Sequence, residues 1–366
     1  MNLGCSEWAW ADLVEKNLEG RDLSFEEALR LFELPLPVVG RIADEIRRVR
    51  CGELVTFVVD RNINYTNRCV AGCKFCAFYA KDEEEGFVLS EEEVLRKVRE
   101  AVEVGATQIL IQGGLNPELG IEWFEALFSA VKREFPGVPL QIHSLSPPEI
   151  HFLAKNEGLS VKETLERLRE AGLDSLPGGG AEVLSERVRK AVSPGKVSAD
   201  GWISIVETAH GLGMPTTATM MFGHLERDED IVEHLFRVRD LQTKTGGFTA
   251  FIPWTFQPQN TELHACGLVK EPVSAARYLQ VLAISRVVLH PFRNLQASWL
   301  TQDFEVAKLA LFFGANDFGG TILEENVVTA AGKEHRPARV AEIVKAVKSV
   351  GRPTAQRNTS YEVLCL

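Results

Sequence analysis

The sequence predicts an α/β chain folded as one TIM-type (β/α)8 barrel, and three observations predict it. Helix-start signals, closing glycines and short apolar runs succeed one another along the chain; eight strand positions can be counted; and small or polar residues follow most of them, where barrel sites occur.

Ser90-Glu91-Glu92-Glu93 has the form of a capping box, with Val94, Leu95, Val98, Ala101 and Val102 at helical spacing and Gly105 beyond. A run at 107–111 then reads as a buried strand ending in Gln112-Gly113-Gly114. The same grammar recurs at 160–163, where a second box opens a helix carrying Leu165, Leu168 and Ala171; Gly172 closes it, and a strand position at 174–177 enters Gly178-Gly179-Gly180. Gly213 precedes a strand at 216–222, and Gly314, after an apolar helix at 306–313, precedes a strand position at 317–321. Strands at 54–59, 140–144, 248–253 and 294–298 complete the eight. An open doubly wound sheet would use the same alternation, but the residues that follow the strands favour closure. Residues 1–52, with a capping signal at Ser24 to Glu27, read as a helical cap, 53–330 as the barrel, and 331–366 as a C-terminal extension packed on it, with a last helix at 336–350.

The chain has 366 residues, of which 45% are apolar, enough for a large core. No apolar run reaches membrane-spanning length, and the first twenty residues lack the basic start and apolar centre of a secretory signal. The expectation is a cytoplasmic protein with no membrane partner. A net charge of -11 opposes phosphate backbones, so no nucleic-acid partner is expected either. Cys5, Cys51, Cys266 and Cys365 are scattered, unlike a secreted disulfide framework.

Cys69, Cys73 and Cys76 stand at spacings of four and three. Three thiolates so close imply a metal site for a soft or borderline metal. A 4Fe-4S cluster ordinarily takes four protein ligands, so three leave one iron open to chelation by a small molecule. A zinc site completed by a distant residue, or a cluster completed by Cys51 or Cys266, would instead make this a nonenzymatic metal-binding or electron-transfer protein.

With Phe75 just before the third cysteine, this motif resembles that of the radical S-adenosylmethionine superfamily. The segments His143 to Glu149, Leu176 to Glu182, Thr216 to His224 and Phe251 to Gln257 resemble radical enzymes of the futalosine menaquinone route and their deazaflavin-pathway relatives. Within that group, Gly178-Gly179-Gly180-Ala181-Glu182, Met220-Met221-Phe222-Gly223-His224 and Pro253-Trp254-Thr255-Phe256-Gln257 are most similar to the dehypoxanthine futalosine cyclases, and the likeness runs from about residue 20 to the C-terminus. The resemblance implies a 4Fe-4S cluster, S-adenosylmethionine chelated to its open iron, a low-potential electron donor of the flavodoxin or ferredoxin type, and dehypoxanthine futalosine as substrate. It further implies hydrogen abstraction from the sugar 4' carbon by a 5'-deoxyadenosyl radical, addition of the resulting radical to the benzoate ring, and loss of one electron and one proton. An aminofutalosine synthase and a deazaflavin-pathway synthase are the related alternatives.

Site residues follow from the same resemblance. Cys69, Cys73 and Cys76 are the metal ligands. Phe75, Gln112, Gly113, Gly114, Ser144, Gly178, Gly179, Gly180, Glu182 and Arg187 are the expected cofactor contacts, although Leu115 stands where many radical enzymes carry an acid. His143, Glu182 and Asp317 are candidate catalytic groups, and Gln257, Asn294 and Gln296 candidate substrate contacts. The bland alternatives are core packing for Phe75, turns for the glycines, a satisfied buried hydrogen bond for His143 and strand caps for the polar residues. Asp82-Glu83-Glu84-Glu85 reads as a solvated acidic loop, with docking of the electron donor as the other reading.

Overall fold

The computed structural model describes residues 7–81 and 85–365. Cys5 and the acidic positions 82–84 lie outside the described residues.

The first strand breaks in two. β1 (Val55–Val58) pairs in parallel with β7 (Asp317–Gly320), whereas β2 (Asp60–Ile63) pairs in parallel with β3 (Gln108–Ile111). β3 continues in parallel to β4 (Gln141–Ser144). Single parallel bridges, His143 with Ser175 and Leu176 with Thr216, carry the circuit to β5 (Thr216–Phe222), which pairs with β6 (Phe248–Thr255). Bridges from Phe251 to Leu295 and from Gln296 to Asp317 return it to β7. The ring is closed and parallel, so the expected barrel stands. Two of the eight expected strands, 174–177 and 294–298, pair through isolated bridges, because each runs at once into a Gly-rich or polar segment that turns away.

The helices begin where the caps predict. Ser24, Ser90 and Ser160 each complete a capping box, satisfying amides that the first helical turn leaves unpaired. Gly105, Gly172, Gly213 and Gly314 follow helices with positive φ, as helix-ending glycines do. At the N-terminus, the helix Leu36–Cys51 lies against Ala275–Val288. Asn17 donates to the carbonyls of Arg286 and Val287 at 3.1 and 2.9 Å, tying the helix Glu7–Leu18 to the end of the same helix.

After the helix Val340–Ser349 the chain returns as β8 (Thr354–Arg357), parallel to β1, with β9 (Val363–Cys365) antiparallel to it. β8 fills the wedge opened where β1 and β2 part: Thr107 donates from its amide to Val59 and from its hydroxyl to the carbonyl of Arg357. Among the described residues no helix is long and apolar enough to cross a membrane.

Candidate cluster and substrate site

Strand alternation points every second side chain inward. Asp60, Asn62 and Asn64 on the first strand and its continuation, and Gln108, Leu110 and Gln112 on the next, line a cavity of about 400 Å³, within the range of small-molecule sites. Cys69, Cys73, Phe75 and Cys76 line the same cavity.

The cysteine loop is held by backbone. Val70 donates to the carbonyl of Leu115, and the Leu115 amide donates to Cys69 Sγ at 3.3 Å. Leu115 thus serves through its main chain, and its buried side chain packs with Ala71 and Cys73. A Cβ on Gly114 would lie 2.1 Å from the carbonyl oxygen of Arg68, so only glycine lets the two loops approach. Gly113 donates to Glu149, which is buried and also receives the Tyr65 hydroxyl at 2.9 Å and the Ser146 amide and hydroxyl.

A third segment closes on the loop from the far side. Lys74 donates to the carbonyl of Val192, and Gly195 lies so near Ala71 that a Cβ would stand 2.3 Å from its oxygen. This brings Lys196 Nζ to 2.8 Å from Glu182 and 5.1 Å from the centre of the Phe75 ring. Glu182 has φ of +42° and is 4% exposed. Burial raises its carboxyl, but Lys196 and then Arg189 outweigh burial and leave it below its ordinary value. Cys73, 6% exposed, is pushed by burial up to about 12, against the pull of Lys196. Such a thiol ionises only when a cation compensates it, which metal ligation does. Among the described residues no three Cys, His, Asp or Glu groups converge on a single ion position. Three thiols presented to one cavity by a single loop are a donor set that a 4Fe-4S cluster can take, one thiolate to each of three irons.

The other expected residues divide in two. Gln112, Gly113, Gly114, His143, Gly179, Gly180, Glu182 and Gln296 line the cavity. Gly180, at φ +72°, also presses on Pro148 where a Cβ would be 2.3 Å away. The remainder turn elsewhere. Ser144 donates to the carbonyl of Ile111 at 2.6 Å; Gly178 is bracketed by the hydroxyls of Thr217 and Thr219. Arg187 is on the outside, paired with Asp230. Gln257 donates to the carbonyls of Thr255 and Thr301, and Asn294 to that of Thr249. Asp317 is fully buried and bonded to Thr56, Gly319 and, through both oxygens, Arg357 at 2.5 and 3.0 Å. His143 is bonded through Nδ1 to Ser175 at 2.7 Å, and burial followed by the charge of Arg357 drives it down to about 3, so the ring is neutral.

Lys196, Arg357, Thr359, Tyr361 and Asp60 also line the cavity, and sequence reasoning passed over them. The polar alternation at 60, 62 and 64 was the available signal for Asp60. No local pattern marks the other four, which arrive through the loop at 193–197 and through β8 and the segment after it.

Comparison with known proteins accords with this site. Residues 63–238 match the model of the Radical SAM superfamily and 245–366 that of the CofH/MqnC C-terminal region. A Streptomyces coelicolor protein named cyclic dehypoxanthine futalosine synthase is 45% identical, covering 96% of this chain and 88% of the relative. A Halalkalibacterium halodurans protein of the same name is 43% identical, covering 96% and 94%. A Methanosarcina acetivorans protein named 5-amino-6-(D-ribitylamino)uracil–L-tyrosine 4-hydroxyphenyl transferase 1 is 41% identical, covering 96% and 93%. In structure the chain is similar to methylornithine synthase (PylB), with a TM-score of 0.73 at 21% identity over 94% of this chain and 97% of the other, a likeness of fold. The chain belongs to the CofH/MqnC family of the radical S-adenosylmethionine superfamily, and it is an enzyme whose cofactors are a 4Fe-4S cluster and S-adenosylmethionine.

Proposed function

We propose that this enzyme converts dehypoxanthine futalosine to cyclic dehypoxanthine futalosine in menaquinone biosynthesis. The observation that carries this reading is its likeness, along nearly the whole chain, to two relatives bearing that name. The geometry agrees with it, since the cysteine loop and the barrel lumen share one cavity. When bound, the cluster and S-adenosylmethionine supply an adenosyl radical that removes hydrogen from an unactivated carbon, here the 4' carbon of the substrate's sugar.

The protein's part is to hold, orient and enclose. Cys69, Cys73 and Cys76 would hold three irons, with the Leu115 amide supporting Cys69. Gly113, Gly114, Gly179 and Gly180 would let backbone approach the S-adenosylmethionine, and Phe75, Glu182 and Lys196 would flank it. Elsewhere in the lining, Asn62 Oδ1 and Thr359 Oγ1 are buried without a partner among the described residues. A buried polar atom left unpaired is costly, so these two are fitted to the hydroxyls of a sugar. Trp254 and Trp299 supply apolar wall that excludes water. The external partner would be a flavodoxin or ferredoxin type donor.

The test is anaerobic reconstitution with iron and sulfide, reduction, and incubation with S-adenosylmethionine and dehypoxanthine futalosine, followed by mass analysis. The expected result is stoichiometric 5'-deoxyadenosine and a cyclised product lighter by two hydrogens. Deoxyadenosine without cyclisation would move the substrate to a relative's. The similarity to the methanogen transferase makes tyrosine with 5-amino-6-(D-ribitylamino)uracil the next pair to supply.

A further inference from the structure

Rearomatisation of a cyclised benzoate ring needs a group to receive the ring proton. Besides Asp60, the carboxylates and the imidazole that face or border the lumen are engaged: Glu149 receives Tyr65, Gly113 and Ser146, and Glu325 receives Asn62 and the amides of Val327 and Val328. Glu182 holds Lys196 at 2.8 Å, Asp317 is clamped by both nitrogens of the Arg357 fork, and His143 has its Nδ1 on Ser175. Asp60 differs. Its carboxylate enters the cavity from the first strand, with Oδ1 fixed by the Ile322 amide at 2.8 Å, and it has no salt-bridge partner among the described residues. Gly320 lies against it, where a Cβ would be 2.2 Å from Oδ1, so only glycine leaves room for the carboxylate there.

We infer that Asp60 is the general base that takes the ring proton in the proposed cyclisation. The inference rests on that reaction being the one catalysed. In the step, the new carbon-carbon bond leaves the attacked ring carbon with its hydrogen and the unpaired electron spread over the ring. The C–H bond breaks, its proton passes to Asp60, and both bonding electrons stay with the ring as a radical anion. That anion gives one electron to a one-electron acceptor of the iron-sulfur or flavin class, and the aromatic ring is restored.

Burial, opposed by the Ile322 amide and Arg357 and assisted by Asp317, raises the Asp60 carboxyl from 3.8 to about 6. A base with that value is ionised at neutral pH yet strong enough to work. The surrounding groups are Arg357 from β8, Asp317 from β7, Glu325 through its bond to Asn62, His335 on the Ile322 carbonyl, and the neutral His143.

The test compares wild type, Asp60→Asn and Asp60→Glu, each reconstituted, matched for iron content and folded at the assay temperature, on dehypoxanthine futalosine with and without deuterium on the benzoate ring. In wild type, product formation should rise through an inflection near pH 6. In Asp60→Asn that limb should vanish, 5'-deoxyadenosine should persist, and deoxyadenosine released per product should climb on the order of 100-fold, the lower end of general-base contributions. A ring-deuterium isotope effect should appear in the variant, where proton removal has become slow, and Asp60→Glu should restore part of the coupling. An unchanged ratio and an unchanged pH limb in Asp60→Asn would overturn the inference alone. Absence of cyclised product from wild type would overturn the underlying reaction and the inference with it.

Discussion

Holding the Asp60 carboxyl at about 6 rather than 3.8 costs folding stability, and the cost can be measured in the cluster-free protein. Between those two values the folded chain binds more protons than the unfolded one, so stability falls as pH rises from about 4 to about 6. Above that window the penalty is complete, about 3 kcal/mol at roughly 1.4 kcal/mol per tenfold. Asp60→Asn keeps the shape and removes the charge. It should therefore match wild type in urea denaturation near pH 4 and exceed it by as much as about 3 kcal/mol near pH 8. A difference independent of pH would mean that the carboxyl is not raised. A stabilising substitution that uncouples turnover is the trade expected of a group held in place for chemistry.

Between elements, the pair that joins the cysteine loop to its neighbours is Glu182 with Lys196. Glu182 is buried and Lys196 is largely so, and each sits on a segment without regular structure. Removing one partner strands the other charge, which typically costs about 3–5 kcal/mol, whereas replacing both is far milder. Glu182→Gln and Lys196→Met should each lower the stability of the cluster-free chain by roughly that amount, and the double variant should recover more than half of the summed loss, as measured by a urea double-mutant cycle. Strict additivity would show that the two are not coupled. This pair also marks how far the sequence could be read. The helix starts at Ser24, Ser90 and Ser160 were legible because a capping box is complete within four residues. The three cysteines and the two glycine-rich turns were legible for the same reason, being contiguous. Glu182 was readable from its place after a triple glycine, but Lys196 was not. Its role depends on Gly195 meeting Ala71, far away in sequence, and one lysine after a turn has no periodicity to betray it.

For the molecule as a whole, β8 fills the gap in the ring where β1 and β2 part. The eight-fold alternation was visible in the sequence because each helix-to-strand transition is local, but the split of the first strand into β1 and β2 and the insertion of β8 were not. Both are consequences of ring geometry, which no local signal encodes. Arg357 shows what the insertion achieves. Its guanidinium is buried, forks onto Asp317 and lies 3.7 Å from the Tyr361 ring centre, joining β8, β7 and the C-terminal segment under the lumen. Asp317 is fully buried and has no other cationic partner among the described residues. A chain ending at residue 353 would leave that carboxylate uncompensated and expose the edge of β1. It should lose at least about 3–5 kcal/mol by the stranded charge alone. Asp317→Asn placed in the shortened chain should return the electrostatic part and leave the loss due to the missing strand, so urea denaturation of the two shortened chains against the full one separates charge from pairing. If the shortened chain melts with the full one and reconstitutes the same iron content, β8 is an ornament on a barrel that closes without it; if it unfolds early even with Asn at 317, the C-terminal strand is a stave of the barrel itself.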